Sequence, residues 1–260
     1  MLDRVTAKRY VVPLREGGSL PAVVDTEPAG RYVVKFRGAG QGPKALIAEV
    51  LAAGLAEELG LPLPQPSIVT LDEGFGRGEP DPEIQDVLRG SIGENFGLAY
   101  LAGAFGFDVA ADLAGVDPSL AAAIVWFDAY IANPDRTPRN PNLLVWQDRL
   151  WLIDHGACLY FHHRWATWQQ RVQAGVPQIR DHVLLSCADD LAAADARLRP
   201  CLTEAVIRRV VAQVPESWLG GEPIFPTVAA QREAYVSYLV GRLQAPRTWL
   251  AEVVDARRQR

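Results

Sequence analysis

Glycine and tryptophan keep to opposite ends of this chain, and that separation limits its fold more than any single motif does. Of the 22 glycines, 17 lie at or before Gly115, while all seven tryptophans lie at or after Trp126. Short β-branched segments broken by Gly-containing turns make strands and hairpins, whereas long Ala-, Leu- and aromatic-rich stretches make packed helices. Strands followed by helices predict an α+β chain with segregated halves, not alternating β-α-β units. The 260 residues suffice for one large domain or for two lobes sharing a cleft. At that size roughly three quarters of the unfolded surface is buried without a covalent or metal staple.

The first half reads as a meander. RYVVPL (Arg9 to Leu14), LPAVVDT (Leu20 to Thr26) and RYVVKFR (Arg31 to Arg37) are strands joined by the turns REGGSL and EPAG. GAGQGP leads into a helix over Lys44 to Leu59 that ends at Gly60. PSIVTLD is a fourth strand, residues 73–94 a surface loop holding at most one short helix, and FGLAYLAG a fifth strand or connector. In the second half Asp117 caps a helix running to Ala132, with Pro118 at its first position. NPDRTPRNPN is irregular, NLLVWQDRLWLID is a hairpin around Gln-Asp, and the pattern from residue 161 onward is helical.

A net charge of −5 argues against a nucleic-acid binder held by a general basic field. Cys158, Cys187 and Cys201 form no CxxC pair, so a reducing compartment is expected and a disulfide framework is not. The N-terminus has no signal-peptide pattern and no apolar run approaches the ~18 residues of a membrane span. A soluble cytoplasmic protein without a membrane partner is the expectation.

Two groups of residues carry chemistry. Three of the four asparagines, Asn133, Asn140 and Asn142, fall within ten residues around Asp135, and Asp154 follows across the hairpin. That topology brings Asp135, Asn140 and Asp154 to one end of the hairpin. A carboxylate with an amide carbonyl suits Mg²⁺, and a second carboxylate can orient or deprotonate a hydroxyl. Asp and Asn also fill turns for purely local reasons. Secondly, only three of the 26 basic residues are lysines, and Lys35 is the one inside a β-branched strand, where lysine is disfavoured. It either faces out from a sheet edge or points into a cleft to bind phosphate. An inward ammonium needs a carboxylate. The next helix offers Glu49, Glu57 and Glu58; Glu49, beside the apolar stripe, is preferred, although helical phase does not choose it. Gly17, Gly18 and Ser19 in REGGSL place backbone N–H groups where a phosphate could sit, or form an ordinary hairpin turn.

A Gly turn, a strand lysine, a helix glutamate, D-x-x-x-x-N, a hairpin and an aspartate occur in the order seen in the protein-kinase-like superfamily. More narrowly, the chain resembles the HipA-like kinases through YVVKF, AEVLAAGLAEELGLPLPQPSIV, DAYIANPDRTPRNPNLLV and WLIDHG, all within residues 31–156. The stretch from NPDRTPRNPN to IDHG is the most specific, and its D-R-x-x-x-N is also similar to that of lipid kinases. The resemblance implies a bilobal protein-kinase-like fold. Residues 1–102 would be an antiparallel-sheet N-lobe with one helix, and residues 103–260 a mostly helical C-lobe. It implies ATP and Mg²⁺ as cofactors and a protein Ser or Thr, or a small molecule, as hydroxyl acceptor. Asp135 would be the catalytic aspartate, Asn140 and Asp154 the metal ligands, and Lys35 the contact to the α and β phosphates with Glu49 as partner. Adenine would lie near Tyr100 and Leu101.

The chain departs from the wider pattern in several places. Asn133-Pro134 stands where HRD kinases have His-Arg, and Asp154 is followed by His155-Gly156. No lysine lies two residues after Asp135, which leaves Arg139 to neutralise charge, and Asn142 competes with Asn140 for the metal. The chain is shorter than full-length HipA toxins, so their role and their antitoxin partner are not expected to carry over. A pseudokinase-type binding module and AMP transfer are the alternative readings.

Overall fold

The computed structural model describes residues 2–14, 20–28 and 30–259. Gly17, Gly18 and Ser19, the expected phosphate turn, lie outside them. Strands β1 (Asp3–Pro13), β2 (Ala22–Glu27) and β3 (Gly30–Lys35) form the expected meander, and α1 (Gly42–Glu58) follows. Gly60, at φ +66°, ends α1: its N–H and that of Leu61 return to the Glu57 and Ala56 carbonyls. Then come β4 (Pro66–Leu71), α2 (Pro82–Arg89) and β5 (Gly93–Ala99). The short helix allowed within 73–94 is thus α2, started by Asp81, whose side chain accepts from the Glu83 N–H. The fifth strand begins at Gly93, three residues earlier than FGLAYLAG suggested, because Glu94 and Asn95 pair with Thr70 and Val69.

The chain is α+β as expected, but its first sheet is not a simple antiparallel one. It closes as a barrel in the order β1-β2-β3-β5-β4, sealed by a parallel β1–β4 pair in the register Asp3↔Ser67 to Thr6↔Thr70. The closed strands enclose a small core that includes Val5, Val24, Val34, Phe36 and Val69. Alternating inward residues and closure together leave few unpaired edges.

The second half contains β6 (Phe105–Gly106), α3 (Val109–Asp112), α4 (Pro118–Tyr130), β7 (Leu143–Trp146), β8 (Arg149–Leu152), α5 (Trp168–Arg171), α6 (Leu191–Leu198), α7 (Glu204–Val211), α8 (Val228–Leu243) and α9 (Thr248–Arg258). The Asp117 side chain caps α4 through the Leu120 N–H at 2.7 Å. Every residue of α4 from Ala121 to Tyr130 is buried, so this helix is apolar all round and forms the axis of the larger core. That core also takes in the apolar residues of α1 between Leu46 and Ala56, alongside those of α4, α7 and α8, with α1 packed directly on α7. At Gly54 an added Cβ would lie 2.8 Å from Val210 Cγ1, so the glycine sets how closely α1 and α7 approach. Among the described residues, no single helix is long and apolar enough to cross a membrane.

One expectation fails in this half. Residues 160–190 are not continuous helix but short 3₁₀ turns at Tyr160–His163, Trp165–Thr167 and Pro177–Asp181, with α5 between. Gly175 and Pro177 interrupt the apolar pattern. Aromatic packing also replaces helical hydrogen bonding there: Phe161 stacks on Tyr238 at 3.7 Å, and Trp165 meets Phe225 edge-on at 4.8 Å.

Candidate active site

Three elements converge on Lys35. It is the last residue of β3, paired with Phe96 of β5, and its side chain is 13 % exposed. Its ammonium bonds to Glu49 Oε1 on α1 and, at 2.5 Å, to Asp154 Oδ1 beyond β8, 119 residues away. Lys35 therefore points inward, and of the three candidate glutamates Glu49 is the one that meets it. Glu49 is completely buried, and its Oε1 also accepts the His155 N–H at 3.0 Å. Burial alone would drive the Lys35 ammonium down, but Glu49 and Asp154 hold it up at about 12, so it stays charged. Burial works against the Asp154 carboxylate too; Lys35 prevails and keeps it below its ordinary range. Burial pushes Glu49 up, with Lys35 and the His155 N–H opposing. Asp154 is at φ +55°, and its side chain is 44 % exposed, so the pair has one sealed and one open end.

Asp135 lies across from this pair on the loop between α4 and β7. Asn133 Oδ1 accepts the Asp135 N–H at 3.0 Å, which holds the backbone. Asn140 and Asn142 both turn their amide NH₂ groups to Asp135 Oδ2, at 2.9 and 3.3 Å. Asn142, at φ +49°, also reaches the Asp154 carbonyl at 3.5 Å. Thr137 and Asn140 exchange backbone hydrogen bonds at 3.1 Å, which makes a tight turn. Arg139 is at its tip, exposed and with no ion pair to a described residue. Tyr100 and Leu101 follow β5; the Tyr100 N–H bonds to the Arg31 carbonyl at 2.8 Å and the Arg31 guanidinium sits 5.9 Å from its ring. Phe96, opposite Lys35, is four residues before Tyr100, which puts Tyr100 just past the end of β5 and about 13 Å from the Lys35 end by strand rise.

Beneath the loop is a buried polar network to which the sequence reading gave no role. Asp128, inside α4, accepts from Arg136 Nε at 2.5 Å, Asn133 Nδ2 at 2.9 Å and His182 Nε2 at 2.9 Å. Arg136 also donates to the Asn142 carbonyl, and its Nη2 is 3.0 Å from His155 Nε2. Burial would raise the Asp128 carboxyl, but Arg136 and His182 pull it well below the carboxylate range. His155 is driven down to about 3 by burial and by Arg136. Since a guanidinium only donates, His155 Nε2 accepts and its proton resides on Nδ1. His182 is the opposite tautomer, because its Nδ1 accepts the Leu184 N–H at 3.1 Å. One visible signal was available: Asp128 is a carboxylate in the otherwise apolar run AAAIVWFDAYIA.

Among the described residues no three His, Cys, Asp or Glu side chains cluster as metal ligands. The donor types nevertheless fit Mg²⁺: Asp154 is a partly exposed carboxylate, the Asn142 amide reaches the Asp154 backbone carbonyl, and the NH₂ groups of Asn140 and Asn142 are turned to Asp135, so their oxygens are the atoms left for an ion. All-oxygen, low-count sites suit an ion that keeps its waters and phosphate oxygens.

A sequence model described as HipA-like kinase matches residues 10–251. The chain belongs to the HipA-like kinase family. No curated protein sequence matches it closely enough to count as a relative. Among solved structures, it is similar to the crystal structure of a Helicobacter pylori proinflammatory kinase, CtkA, with a TM-score of 0.57 over 90 % of this chain and 94 % of that one. At 12 % identity that likeness concerns the fold alone. Within the HipA-like framework, the Lys35–Glu49–Asp154 contact joins the strand half to the helical half.

Proposed function

We propose that this HipA-like chain is an ATP- and Mg²⁺-dependent phosphotransferase that moves the γ-phosphoryl group to a hydroxyl, with a protein Ser or Thr as acceptor. We divide it into a phosphate-binding lobe, residues 1–102, and a catalytic lobe, residues 103–260. The single observation that carries the reading is the charged Lys35 held between Glu49 and Asp154 at the junction of the two halves.

Lys35 offers a compact positive charge to the α and β phosphates, and Glu49 fixes its position at no cost in mobility because Glu49 is itself packed in α1. Asp154 and the oxygens of Asn140 or Asn142 would hold Mg²⁺, which screens the phosphate charge when bound. Asp135 accepts the acceptor's hydroxyl proton or orients that hydroxyl, and the amide groups of Asn140 and Asn142 keep its Oδ2 in place. The Asp128–Arg136 pair holds the loop that carries Asp135, so positioning and electrostatics supply most of the acceleration. Tyr100 and Leu101 flank the adenine, and Arg139 neutralises charge on the transferred group.

Two measurements test this. ATP with Mg²⁺ should stabilise the protein against heat by about 2.7 kcal/mol at a hundred times its Kd. Label should pass to an acceptor from γ-labelled but not from α-labelled ATP. Transfer of the α label would establish AMP transfer instead, and absence of any stabilisation would remove nucleotide binding from the account.

A further inference from the structure

Next to the Asp135 loop lies a cleft of about 390 Å³ that the site described above does not use. Pro134, peptide-bonded to Asp135, lines it together with the stacked pair Phe161 and Tyr238 and with Tyr160, which is 61 % exposed. Arg164 and Arg171 also line it, and no Asp or Glu does; Glu252, against Gly175, is not among the lining residues. Both arginines are exposed, and neither guanidinium forms an ion pair or hydrogen bond with a described residue. Exposed arginines elsewhere are of both kinds: Arg4, Arg9, Arg208 and Arg209 are each matched to a carboxylate, while Arg77, Arg139 and Arg149 form no ion pair with a described residue and line no such cleft. In a chain of net charge −5, two unmatched cations on one apolar cleft are a local reversal of sign.

The cleft is built, not fluid. Arg242 is fully buried and donates to the Ala129 and Tyr130 carbonyls, at 2.8 and 2.6 Å, below the Asp135 loop. It also donates to the Val172 and Ala174 carbonyls, at 2.8 and 2.9 Å, on the segment carrying Arg171 and Gly175. One cation thus ties the segment beside Arg171 to the end of α4 that leads to Asp135. The exposed rim allows a chain to enter and leave, whereas small-molecule pockets enclose most of their ligand.

We propose that this cleft docks the acceptor as an acidic peptide segment. Asp or Glu side chains flanking the reactive Ser or Thr would meet Arg164 and Arg171, and the hydroxyl would be presented to Asp135. The docking role rests on the phosphotransferase reading; the charge preference does not. The test is equilibrium binding to the full chain, by fluorescence anisotropy at low salt. The probes are two fluorescein-labelled Ser-centred peptides, one flanked by Glu and the other by Lys. The Glu peptide should bind at least about tenfold more tightly, and added salt should erase the difference. The double variant Arg164→Glu/Arg171→Glu should invert the order while keeping its heat stabilisation by ATP and Mg²⁺, which shows that it is folded. Equal binding, binding of neither peptide, or a preference that survives the double reversal overturns the proposal. If the Glu peptide is preferred but ATP stabilises nothing, the cleft's preference for acidic peptides stands, while its role in acceptor docking falls with the phosphotransfer reading.

Discussion

Lys35 is the residue on which two chemistries meet: a sealed ion pair to Glu49 and a more open one to Asp154. A guanidinium keeps the charge but is planar and larger, and cannot sit as a point between two carboxylates. Lys35→Arg should therefore slow phosphate transfer by about 100-fold, the scale of a 1 Å misplacement, with the fold intact by circular dichroism. Asp128→Ala should act on stability instead. It strands Arg136 as a buried unpaired charge, at a cost of about 3–5 kcal/mol, measurable by urea unfolding at neutral pH. His155 gives a pH signature. Its folded pKa, about 3, lies below the ordinary 6.5, so its contribution is present above pH 6.5 and is lost as pH falls toward 3. Stability should drop by about 2 kcal/mol for this group between pH 7.5 and 5, and His155→Gln should flatten that slope. Buried His162 and His182 act in the same direction. Lys35, Asp135 and Asp154 were legible in sequence because each is chemically out of place or unusually spaced. Arg136, His155 and His182 were not given these roles, because a buried hydrogen-bonding role depends on what the fold packs around the residue.

Elements show the same division between local and tertiary causes. The turn between β7 and β8 was legible because Gln147 and Asp148, both at positive φ, make a two-residue hairpin turn from local sequence alone. The end of α1 was equally local, fixed by Gly60. Residues 160–190 were not legible, since their backbone is held by distant groups: Arg242 alone takes the Val172 and Ala174 carbonyls. Arg242→Met should leave those carbonyls unpaired and cost about 2–4 kcal/mol, and hydrogen exchange should rise across residues 171–175 before it rises in α4. The contact of α1 with α7 gives a reciprocal test. Gly54→Ala gains helix propensity but forces a methyl against Val210, for a net loss of about 1 kcal/mol. With Val210→Ala in place the same change should become stabilising, a coupling that a double-mutant cycle reads directly.

The whole molecule is organised around one helix used by both halves. The barrel strands have their own small core, yet α1 packs into the large core with α4, α7 and α8. The proposed boundary at residue 102 is thus one of topology: residues 1–102 made alone should fail to fold, showing no dispersed amide spectrum, because α1 would expose its apolar surface. The family was legible from YVVKF and NPDRTPRNPN to IDHG, whereas closure of the barrel was not, since the β1–β4 pairing joins residues more than 60 apart. Sharing α1 also places Glu49 where a movement of either half is felt at Lys35. The central claim is that Asp135 activates or orients the hydroxyl that receives the γ-phosphoryl group. Single-turnover transfer from γ-labelled ATP with Mg²⁺, compared between the unaltered chain and Asp135→Ala, tests it most directly. A rate lower by about 100- to 10,000-fold in the variant is predicted, with ATP stabilisation retained; an unchanged rate in Asp135→Ala would contradict it.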